Sequence, residues 1–345
     1  MKGVVFANVG AEPKIVDDLQ RPSPGPDQLL VKSIWMAVNP VDNFMAAYGV
    51  LVVDWPLVLG VDAAGIVVEA GSEAASKYGF KAGDPVFGCT RLGILEYSAG
   101  QEYFLMDAPV TIRKPENISL VEAVTLGVGS ETACLALFGG LDVPLPDPKS
   151  LPGPQDEWIV ILGGASSVGK SAIQLAKECG YKVVASCSAK SAAEVKSMGA
   201  ITFDYKKPIE EQVKEVVDVT SGDISRIFDA VAAEDPVTAK ELFKASKSIK
   251  RLFATTNDWS GIGDFEGAKT HAVKLGGIGR PEAAELNKNI GEYIPVITAL
   301  IEAGKLLPAE YEVIGTGFEA ALKAYDHQRS GAGGSRKVVV KIQDE

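Results

Sequence analysis

WIVILGGASSVGKSAIQLAKECG, residues 158–180, decides the fold. Trp158 to Leu162 is an apolar run too short for a helix and bounded by glycines, so it reads as a fully buried parallel strand. Gly163 to Gly169 reads as a tight turn. From Lys170 to Glu178 the spacing is helical, with Ile173 and Ala176 on one face and Lys170, Gln174, Lys177 and Glu178 on others. Gly180 stands where a helix C-terminal cap is expected. A strand, turn and helix in this order aim backbone N–H groups and the positive end of a helix at one spot. That spot attracts a diphosphate.

The turn is close to the dinucleotide fingerprint. It reads Gly164-x-Ser166-x-x-Gly169, with serine where the middle glycine is expected. A side chain this small still lets phosphates approach the backbone, and the Ser166 and Ser167 hydroxyls are candidate donors. Gly164, Ser166, Ser167, Val168 and Gly169 are therefore the expected cofactor contacts of the turn. Alone, the motif also fits a Gly/Ser turn between core elements that binds nothing.

The next strand supplies context. Lys182 to Ser186 is again short and apolar, and the chain continues Cys187-Ser188-Ala189-Lys190. NAD-binding folds usually carry Asp or Glu at this point for the ribose hydroxyls. Here stand Ser186, Ser188 and Lys190, which suit a ribose 2′-phosphate that a carboxylate would repel. NADPH is the expected cofactor, with the Tyr205 hydroxyl added to the same phosphate. The plainer reading of Lys190 is an exposed lysine at a helix start.

The chain has 345 residues, which suggests two domains of ordinary size. Its formal net charge of −11 argues against nucleic acid as a partner. The four cysteines lack C-x-x-C spacing and read as reduced thiols in a cytoplasmic setting. The N-terminus lacks the apolar core of a signal peptide, and no apolar run is long enough to cross a bilayer.

Residues 1–125 carry short strand-like runs broken by Pro and Gly, which suggests a β-rich domain, a distorted barrel. Residues 126–277 alternate strands with helices. The strand candidates are 158–162, 182–187, 200–203, 225–230, 249–255 and 271–275, which predict an α/β unit with a doubly wound parallel six-stranded sheet. Val143 to Pro154 reads as an exposed Pro-rich loop. Residues 278–345 hold a long helix, a strand at Tyr311–Ile314, a helix at Phe318–Gln328 and a strand at Lys337–Ile342, and are expected to complete the first domain.

The order of features resembles the medium-chain dehydrogenase/reductase superfamily, in its zinc-free quinone oxidoreductase and enoyl reductase branch. The markers are Arg21 to Lys32, Asn39-Pro40-Val41-Asp42, Leu59 to Gly65, Gly83 to Gly88 and the cofactor turn. The Pro-rich insertion and Gly331 to Ile342 also resemble trans-acting enoyl reductases of fungal polyketide pathways. The resemblance implies a GroES-like substrate domain (1–125 and 278–345) and a Rossmann NADPH domain (126–277). Zinc-dependent members carry Cys in the region of Asn39 to Asp42 and His-Glu after the glycine that here precedes Val61-Asp62. Neither ligand is present, and His271 and His327 have no ligand cluster, so no metal is expected. His271 reads as a buried, hydrogen-bonded residue.

The resemblance implies hydride transfer to the β-carbon of an α,β-unsaturated carbonyl, with charge collecting on the carbonyl oxygen. The implied substrate is an enoyl thioester or enone, free or carrier-bound, with a polyketide synthase as a possible partner. The alternatives are a quinone or enal reductase and a non-catalytic NADPH-binding sensor. Asn39 borders the nicotinamide in this branch, where its amide is expected to bond the ribose or the substrate carbonyl, and it reads equally as a turn cap before Pro40. Phe44 stands where quinone reductases often have tyrosine. Tyr48 is then either a substitute proton donor or a packing aromatic. Thr132, opening the helix before the sheet, is expected near the diphosphate. Thr255, Thr256, Leu275 and Gly276 are expected at strand ends near the carboxamide. Arg329 and Lys337 are further candidates for phosphate.

Overall fold

The computed structural model describes residues 1–345. The chain divides into two units. One comprises Met1–Val128, Gly276–Glu302 and Pro308–Glu345; the other comprises Gly129–Leu275 and Ala303–Leu307.

The second unit grows from the strand Trp158–Leu162. Its isoleucines and valines alternate between two buried faces, and neither face could be left in water. Lys182–Cys187 and Ile201–Asp204 lie on one side of it; Arg226–Asp229, Leu252–Thr255 and Lys269–Ala272 lie on the other. All five pairings are parallel. The strand order reverses between Trp158–Leu162 and Arg226–Asp229, and a doubly wound sheet opens its ligand crevice at the carboxyl ends beside such a reversal. On one face Val160, Val184, Phe203, Ile227 and Phe253 pack with Val216 and Phe243 from the helices Ile209–Thr220 and Val237–Ala245. The helix Ser167–Glu178 packs against Trp158–Leu162 and Lys182–Cys187 and buries Ala172, Ile173, Leu175 and Ala176.

The six parallel strands are those expected. The last is Lys269–Ala272 rather than 271–275, because Val273 makes its final bond to Thr255 O and the chain then turns away.

The first unit is built on the strand Gln28–Val38. It pairs antiparallel with Asp62–Ala70 along one edge; its other edge takes Tyr103–Asp107 first and Lys337–Lys341 afterwards. Irregular register at Leu30/Val31 and Ser33/Trp35 twists the long strand between its partners. Tyr311–Thr316 runs parallel to Lys337–Lys341, so the end of the chain joins this sheet. This pairing sets Asn39, Asp62 and Lys337 at one end of three adjacent strands: Ala37 faces Asp62, and Val38 faces Val338. The helix Pro40–Tyr48 follows directly, with proline at its first position, where no amide hydrogen is needed. No helix of the chain is long and apolar enough to cross a membrane.

Candidate functional site

In the second unit, the turn after Trp158–Leu162 is held by short bonds. Gly163 N donates to Ser186 Oγ and Gly164 N to Ser186 O, both at 2.8 Å. Ser166 is the helix N-cap: its Oγ accepts from Gly169 N at 3.0 Å and donates to Gly163 O at 2.8 Å. This corrects the expected role of Ser166, whose hydroxyl hydrogen is engaged inside the turn. Ser166 shapes the cradle rather than donating to a phosphate. The backbone N–H groups of Ser167 and Val168, in the first helical turn, remain for an anion. Gly169 makes the cradle possible, since a Cβ there would lie 2.2 Å from Gly163 O.

Ser188 and Tyr205 leave two adjacent strands just past the paired residues Cys187 and Asp204. Lys190 follows in a short 3₁₀ turn and is exposed, and Tyr205 is 53 % exposed. The three side chains thus share one rim of the sheet, and the Asp204 carboxylate accepts from Lys206 N at 2.9 Å within its own turn.

Thr255 is fully buried: its hydroxyl donates to Asp229 Oδ2 at 3.0 Å and accepts from Asn257 N at 3.1 Å. It is therefore not an open cofactor contact, whereas Thr256 beside it is only partly buried. Thr132 is buried as the sixth residue of the helix Gly127–Cys134 and does not open it. Leu275 lies beyond the last parallel strand, and Gly276 belongs to the first unit, beside the Leu51 side chain.

The first unit contains a polar centre that the sequence reading did not assemble. Asp62 is fully buried and Lys337 nearly so. Lys337 Nζ lies 2.6 Å from Asp62 Oδ2 and 2.6 Å from Asn39 Oδ1. Asn39 Nδ2 donates to Asp62 Oδ2 at 2.9 Å, and Val128 N donates to Asp62 Oδ1 at 2.7 Å. A Cβ on Gly127 would lie 2.5 Å from Asp62 Oδ1, so only glycine lets this helix start meet the carboxylate. Lys337 is thus an interior cation of the first unit and not a phosphate ligand. Arg329 is exposed and pairs with Asp326 at 2.5 Å.

Asn39 and Tyr48 are not brought together. Asn39 precedes a helix of nine residues and Tyr48 ends it, a separation of about 13 Å at 1.5 Å per residue. Tyr48 is 73 % exposed with its ring 6.3 Å from Phe44, so it is not a proton donor in the Asn39 centre.

Asp42 lies under the same centre. Its Oδ2 accepts from Asn39 N at 2.8 Å, and its Oδ1 accepts from Gly60 N and Val61 N at 2.9 and 3.3 Å. Burial pushes its carboxyl up to about 6; the backbone bonds oppose this, and the Asp62 charge adds to it. The folded chain therefore holds this proton more tightly than the unfolded chain, where the pKa is about 3.9. The resulting stabilisation is present below pH ~4 and is lost as pH rises through ~6. The stability of the native chain relative to Asp42→Asn should fall by about 2 kcal/mol between pH 4 and pH 7, read from denaturant midpoints. A difference that is flat with pH would show that Asp42 does not titrate in this window.

No group of three or more His, Cys, Asp or Glu side chains is placed to hold a metal ion. His271 is half-buried on the edge strand, and burial, with Lys269 and Lys274, holds its imidazole below the usual range.

Residues 25–116 match the alcohol dehydrogenase GroES-like domain. Dehydrogenase orsE of Emericella nidulans is 31 % identical over 242 residues, covering 65 % of this chain and 69 % of that protein. The chain belongs to the medium-chain dehydrogenase/reductase superfamily. Trans-enoyl reductase milB of Cordyceps militaris is 32 % identical over 66 % of this chain and 63 % of its own length. Trans-enoyl reductase traG of Penicillium crustosum is 28 % identical over 98 % of this chain and 96 % of its own. A solved structure described as a putative zinc-dependent alcohol dehydrogenase protein from Rhizobium etli superposes with a TM-score of 0.80 at 26 % identity, covering 100 % of this chain and 99 % of that one. The JamJ enoyl reductase superposes with a TM-score of 0.76 at 19 % identity over 99 % of each chain, a likeness of fold.

This medium-chain dehydrogenase/reductase is an oxidoreductase. Membership implies a nicotinamide cofactor, and the turn fits one: Gly169 admits the close approach of helix and strand, and the first helical turn leaves the Ser167 and Val168 N–H groups without an intrahelical partner.

Proposed function

We propose that the chain is an NADPH-dependent reductase of an activated carbon–carbon double bond, working without zinc on an enoyl thioester carried by a polyketide synthase. One observation carries the metal-free chemistry. Asn39 and Asp62 lie in the two segments, Asn39 to Asp42 and Val61-Asp62, where the resemblance places ligands of zinc-dependent members, and a lysine ammonium is bonded to both. The names of milB and traG support the enoyl substrate. All four cysteines are buried free thiols, in keeping with a reducing, cytoplasmic compartment.

The nicotinamide, when bound, supplies a hydride for the β-carbon of the substrate. Ser167 N and Val168 N hold the diphosphate, and Gly164 and Gly169 keep the backbone close to it. Ser188, Lys190 and the Tyr205 hydroxyl hold the 2′-phosphate. The Asn39 amide donates to the substrate carbonyl oxygen as negative charge collects there. The α-carbon takes its proton from solvent, since Tyr48 is not placed with Asn39.

The test is loss of reduced-nicotinamide absorbance with a panel of enoyl thioesters, enones and quinones. Turnover of the thioesters with NADPH is expected. Turnover of quinones alone, or binding without turnover, would overturn the reading. Lys190→Ala should raise KM for NADPH by about 10- to 100-fold, the value of one charge-assisted contact of about 1.5–3 kcal/mol, and leave KM for NADH unchanged. An equal effect on both cofactors would place Lys190 away from the phosphate.

A further inference from the structure

Asn39 is clamped between opposite charges. A neutral carboxamide in an ordinary polar setting is ambiguous, since its oxygen and nitrogen are nearly interchangeable in shape. Here the alternatives are unequal. Oδ1 faces the Lys337 ammonium at 2.6 Å, and Nδ2 faces the Asp62 carboxylate at 2.9 Å. Exchanging the two would set amide hydrogens against an ammonium and an amide oxygen against a carboxylate, both repulsive. A primary amide has two N–H donors, and only one is used on Asp62. One N–H is therefore left for a ligand, and the remaining Oδ1 lone pair lies beside the ammonium, which makes it the poorer partner.

Asp62 is held just as firmly. Its Oδ1 is fixed by Val128 N at 2.7 Å, and its Oδ2 is shared by Lys337 and Asn39. The three residues come from the ends of neighbouring strands in one sheet, so the backbone adds its own rigidity.

We propose that Lys337 and Asp62 are positioning residues that lock the Asn39 carboxamide in one orientation, so that it meets the substrate as a hydrogen-bond donor to the carbonyl oxygen. The inference rests on the enoyl reductase reading above and deepens it. Lys337 acts through Asn39 and does not touch the reacting atoms.

The test is a cycle between Asn39 and the ion pair. Asn39→Ala should lower kcat by about 100- to 1,000-fold, the usual effect of removing one oxyanion donor, with NADPH affinity unchanged. Asn39→Asp keeps an oxygen for Lys337 but has no N–H, and should lose as much. Asp62→Asn combined with Lys337→Met removes both charges together and avoids an unpaired buried ion. This paired variant should lower kcat at least 10-fold in the native background and have no further effect in the Asn39→Ala background. Equal losses in both backgrounds, or an Asn39→Asp variant with native kcat, would overturn the proposal.

A readout without turnover separates the clamp from the chemistry. The side-chain amide protons of Asn39, assigned in 15N-labelled protein by their loss in Asn39→Ala, should be widely split, with the proton on Asp62 downfield. The splitting should collapse in the paired variant, and its persistence there would overturn the clamp. Native protein that turns over no enoyl substrate would sink the enoyl reductase reading alone, while the amide spectrum still decides the clamp.

Discussion

Alanine at Gly169 is expected to cost at least about 100-fold in NADPH affinity. The new Cβ would lie 2.2 Å from Gly163 O and 2.9 Å from Gly164 Cα, closer than any carbon approaches a backbone atom. Both neighbours are backbone, so no side chain can swing aside. The helix start must move, and the Ser166 cap, which bonds Gly169 N and Gly163 O together, moves with it. Ser167 N and Val168 N then lose their aim at the diphosphate. Two charge-assisted bonds of about 1.5–3 kcal/mol each would exceed the ~2.7 kcal/mol that 100-fold requires. Titration of the cofactor by calorimetry reads this directly. Gly153→Ala is the control, because a Cβ there meets nothing within 4 Å. Binding by Gly169→Ala within threefold of native would mean that the phosphates do not use this turn.

The same turn shows why the parallel sheet was readable. Trp158 to Leu162 is apolar at every position, a pattern only a strand buried on both faces tolerates, and Gly163 and Gly180 mark its bounds and those of the helix. The strands and helices around it follow by the same local rules, with ends displaced by a residue or two. Local rules fail where a side chain's partner is distant. Thr255 looks like an open hydroxyl at a strand end, but Asp229 on the adjacent strand takes it. Ser166 looks like a phosphate donor, but a serine before a helix caps it. Thr132 looks like a helix opener, but the helix begins at Gly127 because the Asp62 carboxylate receives its first turn.

The Asn39 centre was the least legible part. Lys337 lies far along the chain from both partners, and only the antiparallel pairing of Lys337–Lys341 with Gln28–Val38 brings it home. One signal was available: a lysine opening the apolar run Val338-Val339-Val340, and an aspartate opening Ala63-Ala64, each set a charge directly against apolar residues at a strand start. Two lone charges of opposite sign in one β-rich unit invite pairing. The pattern could not say which strands are neighbours.

That pairing carries the second large effect. Lys337→Met alone should destabilise the first unit by about 3–5 kcal/mol, the cost of stranding a buried ion. Asp62 would keep the Val128 and Asn39 bonds, yet its charge would have no cation in an interior it cannot leave. For a unit of this size the loss corresponds to a fall in Tm on the order of 10 °C. Asp62→Asn alone should behave likewise, leaving the ammonium stranded. The double variant should recover at least half of the sum of the single losses, because a neutral pair of similar volume pays no desolvation penalty. Additive losses would show that the two charges stabilise the fold separately. Recovery of stability without recovery of kcat would mean that the ion pair is kept for the orientation of Asn39, since a neutral pair folds as well and leaves the amide free to turn.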